Sequence, residues 1–470
     1  MKKIALLILI TLFTVSAFAA DGDLDGTFGT GGKVVTGNFF DEGGRDVAIQ
    51  PDGKIIAVGA KTSNFNSGNM AAVRYNADGS LDTNFGSGGV FVLPLAAPEY
   101  AAGKAIAVEV LPDGKILLGG SGRTLISINQ IYLIIRLNAN GTLDTTFGTN
   151  GRAIYDFGNN NAYGGFAAMV FDAARNKIYV SATRAIDINN AIYGYDITRF
   201  NDNGTLDTSF NGTGSQTFRI GDSLGTFTHL FDIALQTDGK IIATGGIQYI
   251  RSSDNQSIES FGTARINVDG SLDSSFGTNG IVITDFPNSG SNILYSAVAR
   301  TVSLLPDGRI FIGGSGGTGS GGSLRDFYFA ARLNINGSLD SSFGTGGKIR
   351  AEAVPIADSV ITPGGKIIIT GIKNGIFGVA RLNSNGTIDT TFGTNGVVQT
   401  AFRVGTSIQE NPFAVALQPD GKIVVAGGEN NPNTSGPGQD YTLLARYNGT
   451  AVSVNNPALR VADFDGDGKS

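Results

Sequence analysis

The sequence predicts an all-β chain folded as a seven-bladed β-propeller, with four antiparallel strands per blade and the last blade closed by an N-terminal strand. Three observations carry this expectation. A Leu/Ile-Asp-x-x-Phe pattern occurs seven times, an Arg-x-Asn pattern occurs seven times, and helical periodicity is absent between them.

The Leu-Asp copies start at Leu24, Leu81, Leu143, Leu206, Leu272, Leu339 and Ile388. The Arg-x-Asn copies start at Arg74, Arg136, Arg199, Arg265, Arg332, Arg381 and Arg446. A Pro-Asp-Gly-Lys type of turn punctuates most units, at Pro51, Pro112, Thr237, Pro306, Pro363 and Pro419. The third copy has drifted to Asp172–Lys177. In the first unit, Gly44–Gln50 reads as one strand, Lys54–Ala60 as a second, Ala71–Asn76 as a third and Leu81–Val92 as a fourth. Pro51-Asp52-Gly53 and Ala77-Asp78-Gly79 supply the hairpin turns, because Pro presets φ and Gly accepts a left-handed backbone. Four short strands in a unit of about 60 residues is the arithmetic of a propeller blade.

The ends complement each other. Leu24-Asp25-x-x-Phe28 has no Arg-x-Asn before it, and Arg446-x-Asn448 has no Leu-Asp-x-x-Phe after it. Leu24–Val35 is therefore expected to be the outer strand of the seventh blade. A β-solenoid would not need this complementarity.

These motifs resemble the bacterial delta-60 repeat family. The resemblance rests on Leu143–Gly151, Gln418–Ile423 and Ala445–Asn448 and covers nearly all of residues 24–450. It implies a propeller found in large exported bacterial proteins and brings no catalytic residues with it. The unit is also similar to NHL-type propellers, which mostly bind partners.

The flanking segments read differently. Lys2 and Lys3, the apolar run Ile4–Val15 and Ala17-Phe18-Ala19 form a secretory signal over residues 1–20. The propeller is expected over 21–450, and 451–470 is a linker with an Asp-rich end. Asp463, Asp465 and Asp467 sit at alternating positions before Gly468, the opening of a calcium loop. Val461–Lys469 resembles the start of an FG-GAP/VCBS-type repeat. The chain stops at Ser470, before the later ligand positions, so calcium is expected only in a longer form. No other cofactor is expected.

Composition narrows the function. The chain has no cysteine, a single histidine (His229) and a formal net charge of −6. Zinc, haem, iron–sulfur and Ser-His-Asp chemistry are thereby disfavoured, as is nucleic acid. The Gly313–Gly322 run lacks the Lys-Ser/Thr of a phosphate loop and reads as an inter-strand loop. Asn140, Asn203, Asn336 and Asn385 match the glycosylation pattern but fall in the repeat's own turn. The seven motif aspartates, Asp25, Asp82, Asp144, Asp207, Asp273, Asp340 and Asp389, are identical in every unit. They are assigned a structural role, accepting backbone N–H groups or the Arg of their own hairpin. The expected function is a non-catalytic scaffold, adhesion or ligand-binding module, secreted or at the bacterial cell surface. Its partner would be an extracellular protein or glycan. No membrane span is expected after signal cleavage, and a monomer is expected. The alternative is a carbohydrate-active enzyme, a glycoside hydrolase or lyase, using channel carboxylates.

Overall fold

The computed structural model describes residues 20–37, 40, 43–64, 67–93, 100–124, 130–156, 165–187, 192–221, 228–251, 256–286, 295–318, 327–403, 409–430 and 441–449. The signal segment, apart from Ala20, and the 451–470 tail with Asp463, Asp465 and Asp467 lie outside the described residues.

The described chain forms 28 strands. An N-terminal strand, β1 (Lys33–Gly37), precedes blade one, which is β2 (Asp46–Ile49), β3 (Ile55–Asn64), β4 (Ser67–Tyr75) and β5 (Val90–Val92). Blade two is β6 (Tyr100–Val110), β7 (Ile116–Thr124), β8 (Gln130–Leu137) and β9 (Arg152–Asp156). Blade three is β10 (Phe166–Asp172), β11 (Lys177–Asp187), β12 (Ile192–Asn201) and β13 (Ser215–Phe218). Blade four is β14 (Thr228–Leu235), β15 (Ile241–Arg251), β16 (Gln256–Ile266) and β17 (Ile281–Thr284). Blade five is β18 (Tyr295–Leu304), β19 (Ile310–Thr318), β20 (Phe327–Leu333) and β21 (Lys348–Glu352). Blade six is β22 (Asp358–Ile361), β23 (Ile367–Lys373), β24 (Ile376–Leu382) and β25 (Val397–Thr400). Blade seven is β26 (Gln409–Leu417), β27 (Ile423–Asn430) and β28 (Tyr441–Tyr447), completed by β1.

Each blade is a four-stranded antiparallel meander, and one parallel bridge, Glu259 to Ser296, links blades four and five. The first strands touch one another in turn, from β2 through β6, β10, β14, β18, β22 and β26 and back to β2. They therefore line the central channel, and the ring is closed.

Closure follows the expected pairing. Lys33–Gly37 runs antiparallel to Tyr441–Ala445, and Leu24 bridges to Tyr447. The fourth strand is shorter than the sequence suggests. Only Val90–Val92 of Leu81–Val92 is a ladder strand, because Asp82 to Gly89 coils into a compact turn. The Gly313–Gly322 run also differs from expectation. Its first half, through Thr318, is the end of β19, and only the remainder lies outside the described residues.

Period-two side-chain alternation explains the apolar runs of the second strands. Ile56 and Val58 enter the core shared by blades one and two, while Ile55 and Ala57 enter the core shared by blades seven and one. Seven such cores lie between successive blades, so both faces of every blade are covered. The motif phenylalanines Phe28, Phe85, Phe147, Phe210, Phe276, Phe343 and Phe392 are all fully buried.

Glycine in the second strand has a steric cause. The inner strand carries a bulge in most blades, and its carbonyl presses on the neighbour. A Cβ at Gly120 would run into the carbonyl oxygen of Lys104, and one at Gly314 into that of Val298. No helix among the described residues is long and apolar enough to cross a membrane.

Candidate functional site

Two sets of polar side chains stand out, one repeated seven times and one that breaks the repeat. The repeated set is a latch. In every blade the motif Arg and Asp form an ion pair, with Nε to Oδ2 distances from 2.6 to 2.8 Å. The last of these pairs is Arg446 with Asp25, from opposite ends of the chain. The same guanidinium lies over the motif Phe of its own blade, 4.5 Å from the Phe85 centroid for Arg74 and 4.9 Å from Phe392 for Arg381.

The guanidinium also reaches the next blade. Arg136 donates to the Asp202 carbonyl at 2.7 Å. Arg199, Arg265, Arg332 and Arg446 donate to the carbonyls of Val268, Ile335, Ser384 and Ala77. Arg381 donates instead to the carboxylate of Asp21 at 2.7 Å. The motif Asp also accepts from backbone and hydroxyl two residues on, as Asp144 does from the N–H and Oγ1 of Thr146. The Lys or Arg that ends the first turn adds a second cation, as with Lys240 on Asp273 at 2.8 Å and Arg309 on Asp340 at 2.7 Å. Sequence reasoning assigned no role to that cation.

Burial alone would raise the latch carboxyls. Hydrogen bonds and cations overcome it and hold Asp25, Asp144, Asp207, Asp273, Asp340 and Asp389 well below the usual carboxylate range. The glycosylation-like asparagines belong to the adjoining turn. Asn140 Oδ1 accepts from the N–H and hydroxyl of Thr142, and Asn336 does the same with Ser338. The latch occupies the ring face formed by the first-to-second and third-to-fourth strand turns. The strand ends that lead to the uneven connections lie on the opposite face. Among the described residues those connections include Asn374-Gly375 in blade six.

The second set lines the channel. Asp46, Asp232 and Asp358 stand five residues before Pro51, Thr237 and Pro363, at one shared position of the inner strand. Each carboxylate bridges the free edges of two blades. Asp46 accepts from the N–H groups of Val47 and Val108, both at 2.8 Å. Asp232 accepts from Ile233 and Val302, both at 2.8 Å. Asp358 accepts from Ser359 at 2.7 Å, Val415 at 2.8 Å and the Thr301 hydroxyl at 3.1 Å. These bonds satisfy edge donors that have no ladder partner.

The channel carboxyls are the titration counterpart of the latch. Each keeps some accessible surface toward the channel, yet protein surrounds it on every side. Desolvation raises Asp46 to about 7, with the charge of Asp358 adding to it. It raises Asp232 to about 8, again helped by Asp358 and Asp46. Glu109 rises to about 8 by desolvation and the Asp46 charge, and Asp358 to about 6 by desolvation. The charges of Asp46 and Asp358 act on neighbouring carboxyls of this set.

A stability profile follows. The channel carboxyls bind protons more tightly in the folded than in the unfolded state, so their contribution falls as pH rises from about 4 toward 8. The latch aspartates have the opposite sign, and their contribution is lost below about pH 4. His229, lowered by burial and by Arg300, opposes the channel trend weakly. The melting temperature is expected to be highest near pH 5, several degrees above its value at pH 8, with a steep fall below pH 3.5. Asp232→Asn should flatten the decline between pH 5 and 8. Melts recorded across this range check it, and a maximum at pH 8 would refute the channel assignment.

The structure brings the motif Arg and Asp of each blade together, whereas the channel column was not singled out from the sequence. Its signal was present, since aligning the units on their first turn puts an acid in the same apolar-strand column in three of them. Among the described residues, no group of three or more His, Asp or Glu side chains is arranged to hold a metal ion. A separate cleft of about 760 Å³ opens between the outer parts of blades five and six, lined by Tyr328, Arg350 and Glu352 among others. It lies at the rim, away from the channel carboxyls.

A family-model match agrees with this architecture. Residues 50–85, 111–147, 236–276, 305–343, 363–392 and 418–448 match a family described as a domain of unknown function (DUF5122) beta-propeller. No curated protein matches the sequence. Among solved structures, a protein from Lactobacillus plantarum is similar at 11% identity and a TM-score of 0.45, covering 84% of this chain and 96% of that one. An α-L-arabinofuranosidase from Fusarium graminearum is similar at 12% identity and a TM-score of 0.41, covering 75% and 94%. A PQQ-bound aldose sugar dehydrogenase from Streptomyces coelicolor is similar at 14% identity and a TM-score of 0.37, covering 72% and 93%. The family matches fall in every blade except the third, whose first turn has drifted, and in those six blades the chain is similar to this β-propeller repeat family.

Proposed function

We propose that this protein is an exported, non-catalytic ligand-binding scaffold of the delta-60 repeat type, acting outside the cell on a protein or glycan partner. The observation that supports it most is the division of labour in the ring. The seven recurrent Arg, Asp and Phe residues are all engaged in holding blade to blade on one face. The described residues that break the repeat include the inner-strand aspartates Asp46, Asp232 and Asp358. A calcium-dependent extension through Asp463, Asp465 and Asp467 belongs to the same reading, in a longer form of the chain.

The alternative reading, a carbohydrate-active enzyme, is favoured by the raised channel carboxyls, since a general acid must stay protonated near neutral pH. Against it, Asp46, Asp232 and Asp358 each hold two backbone N–H groups, one on either oxygen, which suits edge capping. The test is incubation of the full chain with a panel of neutral and acidic oligosaccharides, followed by product analysis, alongside Asp232→Asn and Asp46→Asn. The scaffold reading expects no products from any of them. Turnover by the wild type that either variant abolishes would establish the enzyme instead.

A further inference from the structure

We propose that the rim cleft between blades five and six binds a small neutral aryl compound, its ring laid over Ala351 and a hydrogen-bond acceptor on that ring turned to the Tyr328 hydroxyl. The cleft lies away from the channel, and this inference goes beyond the scaffold reading without resting on it.

The argument begins in the third-strand column four residues before the motif Arg. Blades two to six carry an aromatic ring there, as Tyr132, Tyr195, Phe261, Tyr328 and Phe377. In blades two, three, four and six a second ring packs on the first. Tyr155 and Phe218 stand directly across the ladder from Tyr132 and Tyr195, with centroids 6.1 and 5.9 Å away. Phe286 and Phe402 come two residues after the ladder partners Thr284 and Thr400 and approach Phe261 and Phe377 to 4.8 and 4.9 Å. Blade five breaks this rule. Ala351 stands across from Tyr328, and the residue two further on is Ala353. Phe286 also borders the cleft, but its ring is spent on Phe261 and on Phe329 at 5.0 Å.

The hydroxyl is the second observation. Tyr132 donates to Asp196 and Tyr195 to the Gly262 carbonyl, each at 3.1 Å and each in the following blade. Among the described residues the Tyr328 hydroxyl has no such acceptor. Tyr328 is 2% exposed, and its hydroxyl oxygen keeps part of that surface on the cleft. Desolvation pushes this phenol up to about 12, so it stays protonated and able to donate. A nearly buried donor without an acceptor is costly, and a ligand acceptor relieves that cost.

The walls define the rest of the ligand. Ile349, Ala351, Ala353, Ile388 and Val397 make them largely apolar, where the equivalent space of blades two and three holds a side-chain ring. The cleft volume of about 760 Å³ falls within the roughly 300–1,000 Å³ of small-molecule sites. The cations on its border are engaged elsewhere. Lys348 donates to the Asp285 carbonyl at 2.9 Å, and Arg350 lies over the Phe327 ring at 4.8 Å. A flat ring bearing a carbonyl or ether oxygen therefore suits the site better than an aryl anion.

The experiment is a ligand-observed NMR titration of the full chain with acetophenone. Ethylbenzene, which lacks the acceptor, and cyclohexyl methyl ketone, which lacks the aromatic ring, are the comparisons. Acetophenone should bind the wild type. Tyr328→Phe removes one oxygen and no carbon, and should weaken acetophenone about tenfold, the worth of one hydrogen bond. It should leave ethylbenzene unchanged. Cyclohexyl methyl ketone should bind about threefold more weakly than acetophenone, because it loses the ring-to-ring contact. Ala351→Phe supplies the missing ring from the chain itself and should abolish binding of all three. Melting curves show whether that variant folds, and Tyr328→Phe carries the test if it does not. Unchanged acetophenone affinity in Tyr328→Phe or in folded Ala351→Phe would overturn the site. Equal affinity for cyclohexyl methyl ketone would overturn the aryl assignment, and no binding of acetophenone would overturn both.

Discussion

Deleting residues 21–37 is expected to abolish the cooperative folding transition. The segment does far more than add a strand. It pairs β1 with β28, and Gly22 and Asn448 exchange backbone bonds with the opposite end of the chain. Asp25 neutralises Arg446, which is only 4% exposed and would otherwise be a buried, unpaired charge. Phe28 is fully buried between blades seven and one. Asp21 also receives Arg381 from blade six. Without the segment, β28 presents an open edge and two inter-blade cores lose members, so aggregation should accompany the loss. Scanning calorimetry and size-exclusion chromatography check this. Addition of a peptide spanning 21–37 should restore part of the transition. A shortened chain that melts within a few degrees of the full one would refute closure by this strand.

Arg332→Ala is expected to be the most damaging single change at the latch, at about 3–5 kcal/mol, the range for breaking one side of a buried ion pair. Arg332 is 2% exposed and joins four partners at once. They are Asp340 at 2.7 Å, the Ser384 carbonyl of blade six, Ser342 Oγ at 2.9 Å and the Phe343 ring at 4.8 Å. Arg309 remains on Asp340 in the variant, so the carboxylate keeps one cation. The lost link to blade six has no substitute. Arg332→Lys keeps the charge but not the fork and should recover only part of the loss. Urea denaturation measures both. A cost below about 1 kcal/mol for the alanine would place this Arg among ordinary surface ion pairs.

The amino-acid sequence alone determined the repeat number, the four-strand unit, the pairing of the two ends and the Arg–Asp pair within each blade. These features are local, or recur often enough to be read locally. Period-two alternation marks the strands, Pro-Asp-Gly and Asn-Gly-Thr mark the turns, and complementary half-units mark the closure. Only the tertiary structure decided that Leu81–Val92 is mostly turn, because Asp82 coils the backbone around its own carboxylate. It alone revealed that each motif Arg also grips the following blade. It also brought three aspartates of separate blades together on the inner strands. Asp46, Asp232 and Asp358 are far apart along the chain, and only their shared column five residues before the first turn marks them in the sequence. Ring closure surrounds them with protein and with one another, and that poorly solvated space raises their pKa values.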